Sequence, residues 1–161
     1  KDLLKYSSAF GPPKLNLRDA QIISSYGRKD SAKLEINHNS PADVKDHEID
    51  YYSYSVFSFM NLKDLIFYTY AIFQKHKAEG DYTHMDFLLY GYERNMDELK
   101  ELLTSDLKSI FISSCNELFN LHGFEAAWEQ CPNLSKFIGI DITEKAIDEW
   151  YEQKDLTNGS T

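Results

Sequence analysis

The sequence lacks the linear motifs that mark many enzyme families. Its seven glycines are dispersed along the chain, and none belongs to a glycine-rich phosphate loop. A G-x-S-x-G nucleophile elbow and an H-E-x-x-H zinc helix are also absent. We therefore predict no catalytic residue, no cofactor and no bound metal, which favours a non-catalytic protein. An enzyme is not excluded, because active sites are often assembled from residues that no linear motif joins.

Cysteine is scarce in this chain. Cys115 and Cys131 are the only two, and neither belongs to a C-x-x-C pair, which argues against a zinc site or a redox-active dithiol. A domain of 161 residues is large enough to fold without a disulfide. We therefore predict two reduced, partly buried thiols in a cytoplasmic or nuclear protein, with a single disulfide between them as the alternative.

The sequence also lacks an uninterrupted apolar run of membrane-spanning length. Its most aromatic stretch, residues 49–74, contains nine of the 23 aromatic residues, but Lys63 and Asp64 divide it. The uncharged runs on the two sides have 12 and ten residues, whereas a transmembrane helix needs about 20 apolar residues. We therefore predict no membrane span.

The sequence contains fewer basic than acidic residues. The net charge is −9, which argues against free nucleic acid or an anionic membrane surface as a partner of the whole domain. The charge is also unevenly placed, since residues 1–40 carry +3 and residues 101–161 carry −7. The acidic end predicts either a solvated helical surface or a binding face for a basic partner.

The hydrophobic pattern predicts a mainly α fold. Apolar residues recur at helical spacing in the second half of the chain. A further helix is predicted from Asn61, a good N-cap, to about Lys77. Alternation in residues 32–38 and the Tyr-, Phe- and Ser-rich residues 51–59 predict two strands.

These elements predict one domain. We expect a single compact multi-helix domain over residues 1–154, with a small two-stranded β element near residues 32–59 that packs on the helices. Two strands alone are only marginally stable in water. Residues 155–161 are predicted to form a frayed tail.

One histidine has carboxylates at a spacing that a divalent metal could use. Asp81, His84 and Asp86 lie close together in the sequence, and these side chains are possible metal ligands. The same residue types are ordinary at the polar start of a helix. We favour that second interpretation.

The aromatic stretch and the acidic last helix together predict a protein-interaction surface. Aromatic residues are enriched at the buried centres of protein interfaces. A phenol can keep its hydroxyl in water while its ring covers apolar surface, so we expect part of the aromatic stretch to stay accessible. The predicted interface residues are Tyr51, Tyr52, Tyr54, Tyr68, Glu149, Trp150 and Tyr151.

The expected function is that of a non-catalytic adaptor that binds another protein, and a basic partner would suit the acidic helix. Two alternatives stay open. One is an acidic inhibitor or immunity-type protein that blocks a basic site on its target. The other is a ligand-binding or enzymatic helical domain with an aromatic pocket. The sequence leaves the oligomeric state open.

Overall fold

The structure is a computed structural model that describes residues 2–80 and 82–159. Within these ranges the chain forms nine α-helices: α1 (Asp2–Ser8), α2 (Leu17–Ser24), α3 (Asp46–Tyr51), α4 (Leu62–Glu79), α5 (Tyr82–Arg94), α6 (Met96–Leu102), α7 (Ser105–His122), α8 (Pro132–Ile138) and α9 (Glu144–Gly159). Short 3-10 helices cover Lys29–Ser31, Pro41–Asp43, Tyr54–Phe59, Gly123–Glu125 and Ala127–Gln130. The prediction of a mainly helical, compact arrangement is confirmed.

The predicted β element near residues 32–59 is wrong, because the described part of the chain contains no strand. Residues 51–59 include the last residue of α3 and the 3-10 helix Tyr54–Phe59. Ser53 caps this 3-10 helix by accepting the backbone N–H of the residue two positions on. The interleaved serines therefore support a turn here, which competes with the extended conformation.

Residues 32–38 are irregular rather than extended in a sheet. Their backbone carbonyls accept hydrogen bonds from side chains of neighbouring elements. The hydroxyl of Tyr52 donates to Leu34 O, and Arg18 Nε donates to Ala32 O at 3.1 Å. These side chains satisfy two partly buried carbonyls of the segment that a partner strand would otherwise have to satisfy.

The central helix α4 begins and ends close to the predicted positions. Asn61 is its N-cap, and the side chain accepts the Asp64 N–H at 2.9 Å. Gly80 ends the helix with a φ of 68°, a left-handed conformation that costs glycine little because it has no Cβ. Twelve of the 18 residues of α4 are buried, and the helix packs against α1, α5 and α7.

Helix α8 is held at both ends, which sets the position of the chain that follows it. The carboxylate of Glu93 on α5 accepts the N–H groups of Asn133 and Leu134 at 2.7 and 3.0 Å. Asn116 on α7 donates to Ile138 O at 2.9 Å. The turn from α8 into α9 therefore starts from a fixed point beside α7.

Helix α9 is attached mainly through partly buried side chains. None of its described side chains is fully buried. The helix includes residues 155–159 of the predicted tail, and residues 160 and 161 lie outside the described part. Fraying of this end in solution, and the domain boundary at residue 154, stay predictions.

The first prediction concerns Phe111, which has no exposed surface and whose ring lies 5.3 Å from Tyr6 and 4.8 Å from Tyr92, centroid to centroid. Phe111→Ala should lower the free energy of unfolding by about 3–5 kcal/mol, because it leaves a cavity in a packed core. Denaturant unfolding followed by circular dichroism measures the change.

The matched control is Leu156→Ala, at a position that is 75% exposed. It should change the free energy of unfolding by less than about 0.5 kcal/mol. A loss below about 1 kcal/mol for Phe111→Ala would contradict its central position.

The second prediction concerns the thiols. Cys115 and Cys131 are free and buried, and burial raises the pKa of Cys131 to about 12 and that of Cys115 well above its ordinary value. Because the thiolate is the reactive form, neither should react with DTNB in the folded protein, and both should react in guanidinium chloride. Fast labelling of the native chain would show that one of them is accessible.

Candidate functional site

The four tyrosines predicted to form an interface fall into two pairs. Tyr51 and Tyr54 are 47% and 43% exposed, whereas Tyr52 and Tyr68 are 2% and 0% exposed. The predicted accessibility is therefore wrong for Tyr52 and Tyr68. Burial raises the pKa of the Tyr52 phenol to about 12.

The two buried tyrosines have protein partners for their hydroxyl groups, so neither needs water. Tyr52 donates to a backbone carbonyl, as described above. The hydroxyl of Tyr68 accepts the Leu17 N–H at 3.2 Å and lies 3.0 Å from Nδ1 of His38. Nε2 of the same imidazole lies 2.9 Å from Oε1 of Glu48. This buried network connects α2, α3 and α4.

Tyr51 and Tyr54 border a surface groove of about 350 Å³, here called the tyrosine groove. The Tyr54 ring packs 4.7 Å from the Phe87 ring, centroid to centroid. The one carboxylate of the groove, Asp50, is paired with Nζ of Lys75 at 2.9 Å. The lining residues are Gln21, Asp50, Tyr51, Tyr52, Ser53, Tyr54 and His84.

A second groove, of about 260 Å³, lies between α9 and the end of α7 and is called the acidic groove. It combines three aromatic rings with two carboxylates. Trp150 meets Phe124 edge to face, with ring centroids 5.9 Å apart, and Phe124 meets Phe119 in the same way at 5.0 Å. The lining residues are Phe119, Phe124, Asp141, Ala146, Glu149, Trp150 and Gln153.

A single glycine allows Trp150 to dock. Gly123, the C-cap of α7, has a φ of +60°, and a Cβ at this position would lie 2.1 to 2.3 Å from atoms of the Trp150 indole. Such distances are far inside van der Waals contact. Glycine is therefore required here both for the backbone conformation and for the close approach of the ring.

The two carboxylates of the acidic groove differ in their surroundings. The Thr143 backbone N–H donates to Asp141 Oδ1 at 3.0 Å, and this bond, with a second from the Thr143 side chain, holds the pKa of Asp141 below its ordinary value. Glu149 is exposed and has Lys145 Nζ at 3.9 Å. The groove therefore presents negative charge next to aromatic surface.

The predicted residues of the last helix lie at or beside this groove. Glu149 and Trp150 line it. Tyr151 is 42% exposed, and its ring lies 4.9 Å from the Trp150 ring, centroid to centroid. The role of all three residues in an interface stays a prediction.

The interface residues predicted from the sequence do not include Phe119, Phe124 and Asp141, which also line the acidic groove. Phe119 and Phe124 read as ordinary core positions of a helix and the turn after it. They join Trp150 only because the chain turns at Gly123 and α9 returns over that turn. The sequence offers one signal for this contact. It is a glycine between two phenylalanines, followed by a helix that contains a tryptophan.

The structure describes two of the three possible metal ligands, His84 and Asp86. Asp81 lies outside the described residues, so the hypothesis of a site with His84 and Asp86 stays untested. His84 Nε2 lies 3.4 Å from Tyr52 O, and its ring lies 6.4 Å from the Tyr54 ring. Among residues 2–80 and 82–159, no three His, Cys, Asp or Glu side chains are grouped so as to hold a metal ion.

Comparison with protein-family models, curated proteins and solved structures found no match for this chain. Within the described part, no helix combines the length and the apolar character needed to span a membrane. Function is therefore inferred from the two grooves.

The third prediction is that Gly123→Ala displaces Trp150 and loosens α9. The added methyl group would occupy the space of the indole, and the positive φ would be strained. The tryptophan emission should shift to longer wavelength, because Trp150 becomes more exposed while Trp128 stays in the core, where it is 1% exposed. Amide hydrogen exchange in α9 should become faster.

Gly139→Ala is the control, because Gly139 has a φ of +81° but no atom within 4 Å of its added Cβ. It should bring backbone strain of about 1 kcal/mol without changing the emission spectrum. Identical emission spectra for Gly123→Ala and the wild type would contradict the close contact with Trp150.

Proposed function

We propose that this chain is a non-catalytic protein-binding domain that holds a basic segment of a partner protein in the acidic groove. The observation that supports it is the meeting of two partly exposed aromatic rings, Phe119 and Trp150, with two carboxylates in one surface groove, over the buried ring of Phe124. Aromatic side chains give large contact area with few rotatable bonds. Carboxylates beside them favour a partner that brings positive charge.

The charge of the surrounding surface supports the same choice of partner. Residues 144–159 contain five carboxylates and two lysines, so α9 is acidic as a whole. Such a field would speed the encounter with a basic protein and make the rate depend on salt. The partly exposed Tyr151 extends the contact surface beyond the groove itself.

The tyrosine groove is a weaker candidate for the main contact. Its exposed rings offer apolar area, but its one carboxylate already has Lys75 as a partner. It therefore has no clear preference for the charge of a partner. We keep Tyr51 and Tyr54 as a proposed secondary contact, and we do not propose Tyr52 or Tyr68, because both are buried.

The fourth prediction tests the acidic groove with defined peptides. A labelled lysine- and arginine-rich peptide should bind the chain, as measured by fluorescence anisotropy, and a glutamate-rich peptide of equal length should not. Glu149→Lys should weaken binding about fivefold or more, because it reverses a charge in the groove. Trp150→Ala keeps the net charge and should weaken binding to a similar degree by removing the aromatic surface.

The matched control is Glu152→Lys, which makes the same charge change on the same helix at an exposed position that does not line the groove. It should weaken binding about twofold at most, because exposed charges are screened by salt. Equal losses for Glu149→Lys and Glu152→Lys, with none for Trp150→Ala, would indicate unspecific attraction and contradict the proposal. Circular dichroism of each variant shows whether it is folded.

A further inference from the structure

The acidic groove already has a positive charge of the chain's own beside its tryptophan. Nζ of Lys154 lies 5.0 Å from the centre of the Trp150 ring. The two residues are four apart on α9, a spacing that puts their side chains on one face of the helix. The same ammonium group forms an ion pair with Glu125 in the turn after α7. A cation is therefore held between an indole ring and a carboxylate.

This arrangement shows which chemistry the site accepts. Tryptophan is the aromatic side chain that attracts cations most strongly. Three carboxylates belong to the immediate surroundings: Asp141 and Glu149 line the groove that Trp150 also lines, and Glu125 pairs with the lysine itself. A guanidinium group suits such a place better than an ammonium group, because it is planar, stacks on rings and binds carboxylates through two parallel hydrogen bonds.

We infer that the groove recognises an arginine side chain of the partner, which takes the place beside Trp150 that Lys154 now holds. This inference rests on the proposed function and adds to it the recognised side chain and its internal competitor. While Lys154 contacts Trp150, the partner's arginine cannot enter, so only those molecules in which Lys154 has moved away can bind. The apparent affinity is the intrinsic affinity multiplied by the fraction of such molecules.

The displacement requires little rearrangement. The side chains of Lys154 and Glu125 are 38% and 29% exposed, and ion pairs near the surface are weak because water and salt screen them. No described side chain of α9 is fully buried. Lys154 can therefore swing into solvent without unpacking the core.

The test compares two peptides and two protein variants. One peptide is lysine-rich with a single central arginine, and the other has citrulline there, which keeps the shape but loses the charge. Lys154→Gln removes the internal competitor. Lys100→Gln removes the same charge from an exposed position on α6, away from the groove, and is the matched control.

The wild type should bind the arginine peptide about threefold to tenfold more tightly than the citrulline peptide, as expected for a cation on an indole ring. Lys154→Gln should raise the affinity for the arginine peptide about threefold or more, since the site is then free. Lys100→Gln should leave this affinity nearly unchanged, and the citrulline peptide should gain little from either substitution.

The outcomes separate this inference from the proposed function. If both peptides bind with equal affinity, or if Lys154→Gln and Lys100→Gln raise the affinity equally, the displacement of Lys154 is wrong while the binding of a basic segment stands. If neither peptide binds any of the three proteins, the proposed function fails and the inference fails with it.

Discussion

The burial of α4 is the constraint on which the rest of the fold depends. This helix lies at the centre of the domain, yet its buried residues include Asp64, Thr69 and Lys75. A buried polar group without a hydrogen bond costs about 1–3 kcal/mol, and a charged one costs more. Other segments of the chain must therefore come close enough to α4 to supply partners.

Those partners come from distant parts of the sequence. The Asp64 carboxylate accepts the N–H groups of Lys14 and Leu15, and burial raises its pKa despite these bonds. Lys75 lies between Asp50 and Glu79. The bonds of Asp64 fix residues 14 and 15, which have no regular structure, and the pair of Lys75 with Asp50 fixes α3, a helix too short to be stable alone. Glu79 belongs to α4 itself. The irregular first half of the chain is thus organised by the polar groups of one apolar helix.

The same constraint explains which predictions from sequence succeed. Helix ends depend on adjacent residues, so Asn61 and Gly80 indicate the limits of α4 correctly. Alternation predicts the strand at residues 32–38, and aromatic content with interleaved serines predicts the strand at residues 51–59. Alternation shows which side chains face the core, but it does not show which groups form hydrogen bonds with the backbone of the segment. Here side chains such as Tyr52 and Arg18 form them, and they come from elements whose position no local pattern reveals.

The exposure of the tyrosines was equally hard to predict. Tyr51 and Tyr52 are adjacent and identical in type, but only Tyr52 is buried, although the hydroxyl groups of both bond to the irregular segment. The acidic groove was predicted only in part for a related reason. Its charged side could be read from the last helix, whereas its aromatic floor exists because Gly123 has no side chain.

The α4 core and helix α9 therefore differ in the contacts that hold them in place. The α4 core is fixed by buried polar contacts and close packing, so its geometry tolerates little change. Helix α9 is held by the partly buried side chains of Ile147 and Trp150 and by a partly exposed ion pair. The indole lies over Gly123 and meets Phe124 edge to face. Elements with few buried contacts open at low free energy, which suits the proposed exchange of Lys154 for an arginine of the partner. The five carboxylates of α9 keep their hydration in this position, because all of them are exposed. The apolar side chains by which the helix packs on the core, Ile147 and Trp150, are only partly buried. An acidic helix is therefore attached here through a small contact, without burying its charges.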